Sequence, residues 1–204
     1  MIALPIPLVT LDYVGVAVFA VTGALAAARN RHDAITFAAF AILTGVGGGT
    51  LRDLLIGQPV FWVHASGYIY VCLGAAAAVW LAGERPWRSS ALVWLDAVGL
   101  AAYAVLGAAK ALGAGVPPPV AVAMGALTAT FGGILRDLFA GQPSVLLRRE
   151  IYITAAVLAA AVYVAANAFG MDARIAAVAA FAAGFGLRAG AIARGWTLPG
   201  FEKS

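Results

Sequence analysis

The stretch Gly45-Val-Gly-Gly-Gly-Thr-Leu-Arg-Asp53, followed by Gly57-Gln-Pro59, decides the fold of this chain because it occurs twice. The second copy, Ala129-Thr-Phe-Gly-Gly-Ile-Leu-Arg-Asp137 followed by Gly141-Gln-Pro143, begins 84 residues later. In both copies an arginine and an aspartate follow glycines inside a long apolar segment. Ionisable residues in such segments are energetically costly and usually serve a function.

The composition indicates an integral membrane protein with helical spans. Of the 204 residues, 63% are hydrophobic and 11% are charged, which is far more apolar than a soluble domain of this size. Apolar stretches recur at the length of a transmembrane helix, about 20 residues, rather than as the short alternating segments of a β-barrel. The formal net charge is +4, but the basic residues are scattered at predicted helix ends, which argues against a nucleic-acid partner.

We predict seven transmembrane helices in a single transmembrane domain that covers residues 1–204. The connectors between them are short and rich in turn residues, so no second domain is expected. The predicted spans lie at about 8–28, 35–56, 67–83, 91–112, 117–140, 151–169 and 174–192.

The duplication extends well beyond the opening motif. Residues 11–83 align with residues 95–167 without a gap, and each repeat contains three predicted spans. Because three is an odd number, the second repeat enters the membrane in the opposite orientation. The sequence therefore predicts an all-α 3+3 inverted repeat plus a seventh helix, a class in which substrate or ion sites lie near the membrane midplane. Identical pairs include Leu11/Leu95, Asp12/Asp96, Gly15/Gly99, Gly23/Gly107, Thr44/Thr128, Tyr68/Tyr152 and Ile69/Ile153.

The basic residues predict a multi-pass inner-membrane protein whose N-terminus is outside and whose C-terminus is cytoplasmic. Lysine and arginine concentrate on the cytoplasmic side of bacterial membrane proteins. One side of the predicted topology carries only Lys110 and Arg174. The other carries Arg29, Arg31, Arg85, Arg88, Arg148, Arg149, Arg188, Arg194 and Lys203.

The glycine runs predict kinks in the second and fifth helices and a path for cations beside them. Glycines let a helix bend or unwind, and carbonyl groups at the end of a half-helix favour a cation. Close helix packing is the alternative, but duplication beside buried charges favours the pathway. Weakly held alkali cations suit such oxygen ligands, and no other metal site is predicted. The candidate residues are Thr44, Gly45, Gly47, Gly48, Gly49, Thr50, Thr128, Thr130, Gly132 and Gly133.

The motif arginines need buried partners. Arg52 and Asp53 are adjacent and point to different helix faces, so we expect no salt bridge between them. From depth in the membrane we predict the ion pairs Asp12 with Arg52 and Asp96 with Arg136. An unpaired charge of this kind would cost about 3 kcal/mol or more.

Three further residues have two open interpretations each. Asp53 and Asp137 either face a polar pathway or cap the second half-helices. Lys110 either snorkels to the interface, which is the favoured interpretation, or tunes cation passage electrostatically. No nucleophile with a neighbouring base and no phosphate-binding loop is present, so neither an enzyme nor a cofactor is predicted.

The doubled Gly-Gly-x-Leu-Arg-Asp and Gly-Gln-Pro pattern, on two three-span repeats and a seventh helix, resembles the prokaryotic TRIC (trimeric intracellular cation) channel family. The resemblance covers residues 8 to about 192. It implies a homotrimer surrounded by membrane lipid, with a pore in each protomer for monovalent cations, chiefly K⁺; the permeant ion is thus expected to be K⁺ or Na⁺. It places the kinks at Gly47 to Gly49 and at Gly132 and Gly133, with Phe131 opposite Gly47 in the alignment. The alternative is a secondary transporter of a small amino acid such as glycine.

Overall fold

The computed structural model describes residues 6–83, 90–147 and 150–199, and in these ranges it is all-helical. The prediction of seven helices is confirmed. They are α1 (Ile6–Arg29), α2 (Ala34–Leu55), α3 (Gly67–Ala82), α4 (Ala91–Gly113), α5 (Pro118–Phe139), α6 (Ile153–Ala168) and α7 (Ala173–Arg194), with a 3-10 turn at Val145–Leu147.

Five of these helices, α1, α2, α4, α5 and α7, are long and apolar enough to cross a membrane. The other two, α3 and α6, have 16 residues each and are shorter apolar helices. The chain is therefore a multi-pass membrane protein. Among the basic residues used above for orientation, Arg85, Arg88, Arg148, Arg149 and Lys203 lie outside the described residues.

The helices pack as two related three-helix bundles. In the first bundle α1 contacts α2 and α3, and in the second α4 contacts α5 and α6. Contacts between α2 and α5 and between α1 and α4 join the bundles, while α7 packs on α6 and α4. This arrangement is the 3+3 repeat plus one helix that the sequence predicts.

Both copies of the Gly-Gln-Pro motif end a helix in the same way. Gly57 follows α2 and Gly141 follows α5, with φ of 66° and 64°, a left-handed conformation that glycine adopts without strain. The glutamine after each glycine donates its amide hydrogen to the carbonyl of the motif aspartate, at 2.8 Å in the first copy and 2.9 Å in the second. The motif is thus a helix stop that holds the aspartate at the end of its helix.

The start of α2 is fixed by an N-terminal cap, at the opposite end of the helix from Gly57. The Asp33 carboxylate accepts a hydrogen bond of 2.8 Å from the Thr36 amide. This bond lowers the pKa of the Asp33 carboxyl group, since it stabilises the ionised form. The cap therefore operates whenever the carboxylate is ionised.

Where α2 and α5 cross, their backbones touch at two glycines. A Cβ atom on Gly48 would collide with the carbonyl oxygen of Thr128, and one on Gly132 would collide with the carbonyl oxygen of Thr44. Both helices run unbroken through these positions, so the expected division into half-helices is wrong in this structure. The absent side chains admit the partner backbone, and the helical hydrogen bonds stay intact. A bend at the glycines stays a prediction.

The remaining motif glycines also have close neighbours. A Cβ atom would lie 2.9 Å from Cys72 Sγ at Gly45, 2.8 Å from Leu135 Cδ1 at Gly47 and 2.6 Å from Phe61 Cε1 at Gly49. At Gly133 it would lie 2.7 Å from Tyr152 Oη. In this conformation the glycines serve close packing, which was the alternative interpretation, and their role in a cation path stays a prediction.

Replacing either crossing glycine with alanine should lower the melting temperature of the purified protein in detergent. The added methyl group meets a backbone carbonyl that cannot rotate away, and overpacking of this kind typically costs about 1–3 kcal/mol. Gly74→Ala is the matched control, because no atom lies within 4 Å of its Cβ position on α3. Equal melting temperatures for Gly48→Ala, Gly132→Ala and the control would contradict the backbone contact.

Candidate functional site

The carboxylate of Asp53, at the end of α2, is fully buried and is held by three donors. Its Oδ1 accepts from Arg52 Nε at 2.8 Å, and its Oδ2 accepts from the Phe61 amide at 3.0 Å. Lys110 Nζ, which comes from α4, lies 2.9 Å from the same Oδ2. A buried carboxylate is stable only when such partners compensate its lost hydration.

The expectation that adjacent arginine and aspartate would not pair is wrong in both repeats. Arg136 Nε and Nη2 each lie 2.9 Å from Asp137 Oδ1, as Arg52 Nε lies close to Asp53. The arginine side chain is long enough to fold across the helix surface and reach its neighbour. The rule of helix faces applies to Cβ positions and fails for a guanidinium group at the end of a long, flexible side chain.

The favoured interpretation of Lys110 is also wrong, because this side chain does not snorkel. It is 11% exposed and turns inward to Asp53. The ring of Phe61 lies 5.3 Å from the ammonium nitrogen, at a distance typical of a cation–π contact. The alternative interpretation, an electrostatic role for Lys110 in cation passage, stays open.

Asp12 does not form the expected ion pair with Arg52 in the part of the chain that the structure describes. Its Oδ2 accepts a hydrogen bond of 2.9 Å from the hydroxyl group of Tyr68 instead. The predicted pair is replaced because Arg52 is already held by Asp53 and Asp12 by the tyrosine. We call Asp12, Arg52, Asp53, Phe61, Tyr68 and Lys110 the outer cluster.

The second repeat contains the ion pair that its sequence predicts. Asp96 Oδ1 lies 2.6 Å from Arg136 Nη1, and both side chains are buried. The Val145 amide donates to Asp137 Oδ2 at 3.0 Å, as the Phe61 amide donates to Asp53 in the first repeat. We call Asp96, Arg136, Asp137, Val145 and Tyr152 the inner cluster.

The inner cluster borders a cavity of about 300 Å³. The position that aligns with Lys110 is Ala26, and the position that aligns with Phe61 is Val145. Both are smaller, and both line the cavity. Its other lining residues are Arg29, Asn30, Leu92, Val93, Asp96, Arg136, Asp137, Ala140, Gln142, Glu150 and Arg188.

The candidate threonines lie on α2 and α5, and most of their hydroxyl groups are already bonded. Thr50 donates to Val46 O at 2.7 Å, Thr128 to Met124 O at 2.6 Å and Thr130 to Ala126 O at 2.9 Å. The buried Thr44 hydroxyl has no hydrogen-bond partner among the described residues. It is therefore the threonine whose oxygen is available at the helix crossing.

Sequence reasoning missed the contribution of α7 to this region. Arg188 Nη2 lies 2.8 Å from Glu150 Oε2, and Arg188 Nη1 donates to Ile151 O at 3.2 Å. The arginine is buried, which ties α7 to the mouth of the cavity. A buried arginine in the extra helix gives no repeat signal. The inward contact of Lys110, in contrast, leaves a signal in the sequence, because this charged residue aligns with an alanine, Ala26.

A double-mutant cycle on Asp96 and Arg136 should reveal strong coupling. Arg136→Met should destabilise the protein by about 3 kcal/mol or more, because it leaves Asp96 and Asp137 buried without the guanidinium group that both contact. Asp96→Asn should cost less, because Arg136 keeps Asp137 as its partner, and the double variant should lose less than the sum, since the contact between Asp96 and Arg136 is removed only once. The control cycle is Asp12→Asn with Arg52→Met, in which coupling should be smaller since the two side chains make no direct ion pair. Thermal unfolding in detergent measures both cycles, and additivity at Asp96 and Arg136 would refute the pairing.

Comparison with known proteins supports the architecture described above. The sequence matches the family described as Glycine transporter over residues 9–84 and again over residues 93–168. A UPF0126 membrane protein of Vibrio cholerae is 36% identical over 197 residues, which is 94% of this chain and 81% of the relative. The UPF0126 inner membrane protein YadS of Escherichia coli K12 is 39% identical over 159 residues, covering 76% and 77% of the two chains.

Solved structures share the fold. The TRIC trimeric intracellular cation channel orthologue from Rhodobacter sphaeroides superposes with a TM-score of 0.91 at 49% identity, over 94% of this chain and 100% of that one. A second structure, described as a basis for conductance through TRIC cation channels, has a TM-score of 0.85 at 29% identity, over 96% and 97%. The family match falls once on each repeat. The chain therefore belongs to the Glycine transporter family of membrane proteins and has the fold of the TRIC channels.

Proposed function

We propose that the protein is a potassium-permeable channel for monovalent cations, with a pore in each protomer of a homotrimer. The observation that carries the proposal is a pair of buried charged clusters. The outer cluster lies at the C-terminal end of α2 and the inner cluster at the C-terminal end of α5, on opposite sides of the protein. Each cluster presents a carboxylate, Asp53 or Asp137, beside the helices that cross at the centre. The similarity to structures described as trimeric cation channels supports the same function.

The proposed path runs from the cavity past Asp137, then along the crossing of α2 and α5, and ends at Asp53. Thr44 and the backbone carbonyl groups at the crossing provide uncharged oxygen atoms for a weakly bound K⁺ or Na⁺ ion. The backbone contacts at Gly48 and Gly132 close the path at its centre. Opening therefore requires α2 and α5 to separate or bend there, and no catalysis or cofactor is involved.

We propose that the cavity faces the cytoplasm of a bacterial cell. Among the described residues, Arg29, Arg31 and Arg194 lie at or just beyond helix ends on the cavity side, and Arg188 lines the cavity, whereas Lys110 and Arg174 lie toward the other side. This distribution supports a topology with the N-terminus outside and the C-terminus inside. The inner-membrane description of YadS agrees with a location in the inner membrane, in contact with lipid.

A transporter of a small amino acid such as glycine is the second candidate function. One observation favours it: the cavity borders the inner cluster, whereas Lys110 and Phe61 fill the corresponding space at the outer cluster. A site accessible from one side is the arrangement expected for alternating access between inverted repeats. The description of the matching family supports the same candidate.

Flux through the purified full-length protein in liposomes separates the two functions. Passive ⁸⁶Rb⁺ uptake that rises with ion concentration and exceeds carrier rates supports the channel. Saturable uptake of [¹⁴C]glycine without appreciable Rb⁺ flux would replace the channel with the transporter. Empty liposomes provide the background, and chemical cross-linking of the same preparation tests the trimer.

Replacing Lys110 with methionine should increase Rb⁺ flux by about fivefold or more. A tethered positive charge in the path repels cations, and removing a contribution on the order of 1 kcal/mol from the barrier has this effect. Arg174→Met is the matched control, because it removes an exposed positive charge from the same side of the protein without altering the cluster. Equal flux in both variants would contradict an electrostatic role for Lys110.

A further inference from the structure

The two clusters are related by pseudo-symmetry, but only the outer cluster has a lysine side chain beside its motif aspartate. At the inner cluster the corresponding position lies in a cavity, which makes it a candidate binding site. We propose that a monovalent cation binds beside Asp137, inside the cavity, at the position that the Lys110 ammonium group occupies beside Asp53. The inference rests on the proposed function, because the bound ion would be a permeating cation at the cavity end of the proposed path.

The two aspartates are held alike apart from one partner. Asp53 and Asp137 each accept from the preceding arginine through Oδ1 and from a backbone amide eight residues later through Oδ2. At Asp53 the Oδ2 atom also accepts from Lys110. At Asp137 the aligned residue is Ala26, whose methyl group can donate no hydrogen bond.

The space for a cation exists at the same place. Phe61 lies against the Lys110 ammonium group in the outer cluster, and the smaller Val145 takes its position in the inner cluster. Ala26, Val145 and Asp137 all line the cavity of about 300 Å³. The missing lysine and the missing ring together leave a polar cavity large enough for a hydrated ion.

The charges of the two clusters differ by the charge of that lysine. In the outer cluster Asp12 and Asp53 are balanced by Arg52 and Lys110. In the inner cluster Asp96 and Asp137 both contact Arg136, and within the described ranges neither makes an ion pair with another basic side chain. One positive charge beside Asp137 would give the inner cluster the same formal balance of two carboxylates and two cations as the outer cluster.

Two other basic residues, Arg29 and Arg188, line the cavity in the described part of the chain, and neither fills this role. Arg188 is paired with Glu150, and Arg29 is exposed at the end of α1. A buried arginine beside the site disfavours a divalent ion, and two carboxylates disfavour an anion. The ligand class is therefore a single monovalent cation of about the size of an ammonium group, such as K⁺, Rb⁺ or NH₄⁺.

The test measures melting temperature against KCl for the purified full-length protein in detergent. N-methyl-D-glucamine chloride keeps the ionic strength constant, because that cation is too large for the site. For the unchanged protein we expect a saturable rise of about 5 °C or more when KCl is a hundredfold above its dissociation constant. NH₄Cl should act similarly.

Ala26→Lys should abolish the KCl dependence, because it supplies a tethered ammonium group at the proposed position. Ala26→Met has the same length without the charge and should melt below Ala26→Lys in N-methyl-D-glucamine chloride. Asp137→Asn should also lose the KCl dependence, which keeps the test decisive if Ala26→Lys does not fold. Gly74→Ala should retain the full response.

An unchanged KCl response in both Ala26→Lys and Asp137→Asn would overturn the site. This result is distinguishable from failure of the channel proposal, because binding is measured without flux. A KCl response that both variants lose, in a protein without Rb⁺ flux in liposomes, would keep the site and reject the channel. Rb⁺ flux in a protein whose KCl response survives both substitutions would keep the channel and reject the site.

Discussion

The contact between the backbones of α2 and α5 is the constraint on which the rest of the structure depends. Because Gly48 and Gly132 carry no side chain, each admits a carbonyl group of the other helix, Thr128 or Thr44. The crossing lies near the middle of both helices, so the charged motif at each C-terminal end is carried to opposite sides of the membrane. A larger residue at either glycine would move the two bundles apart and displace both clusters together.

The duplicated sequence makes two similar sites, and divergence at two positions makes them behave differently. Lys110 and Phe61 fill the space beside Asp53, whereas Ala26 and Val145 leave a cavity beside Asp137. The arginine–aspartate pairs and the glycine stops that end α2 and α5 are alike in both repeats. The repeated residues therefore build the scaffold, and the residues that break the repeat determine which end is filled.

The seven helices and their pairing into repeats could be predicted because apolar length and a constant offset of 84 residues are properties of the sequence itself. The Asp96 pair followed from depth in the membrane. The pairing of Arg52 with Asp53 could not be predicted from depth, since it depends on side-chain conformation. The hydrogen bond between Asp12 and Tyr68 could not be predicted for the same reason. The inward turn of Lys110 depended on an unfilled acceptor in another helix, which spacing along one helix cannot reveal.

The unequal ends of the proposed path have an electrical consequence. A fixed ammonium group at Asp53 and an exchangeable ion at Asp137 present different barriers to cations that arrive from the two sides. Each protomer would therefore rectify, carrying more current in one direction than in the other even between identical solutions. Because this polarity depends on lysine at position 110 and alanine at position 26, exchanging the two residues would reverse it within the same fold.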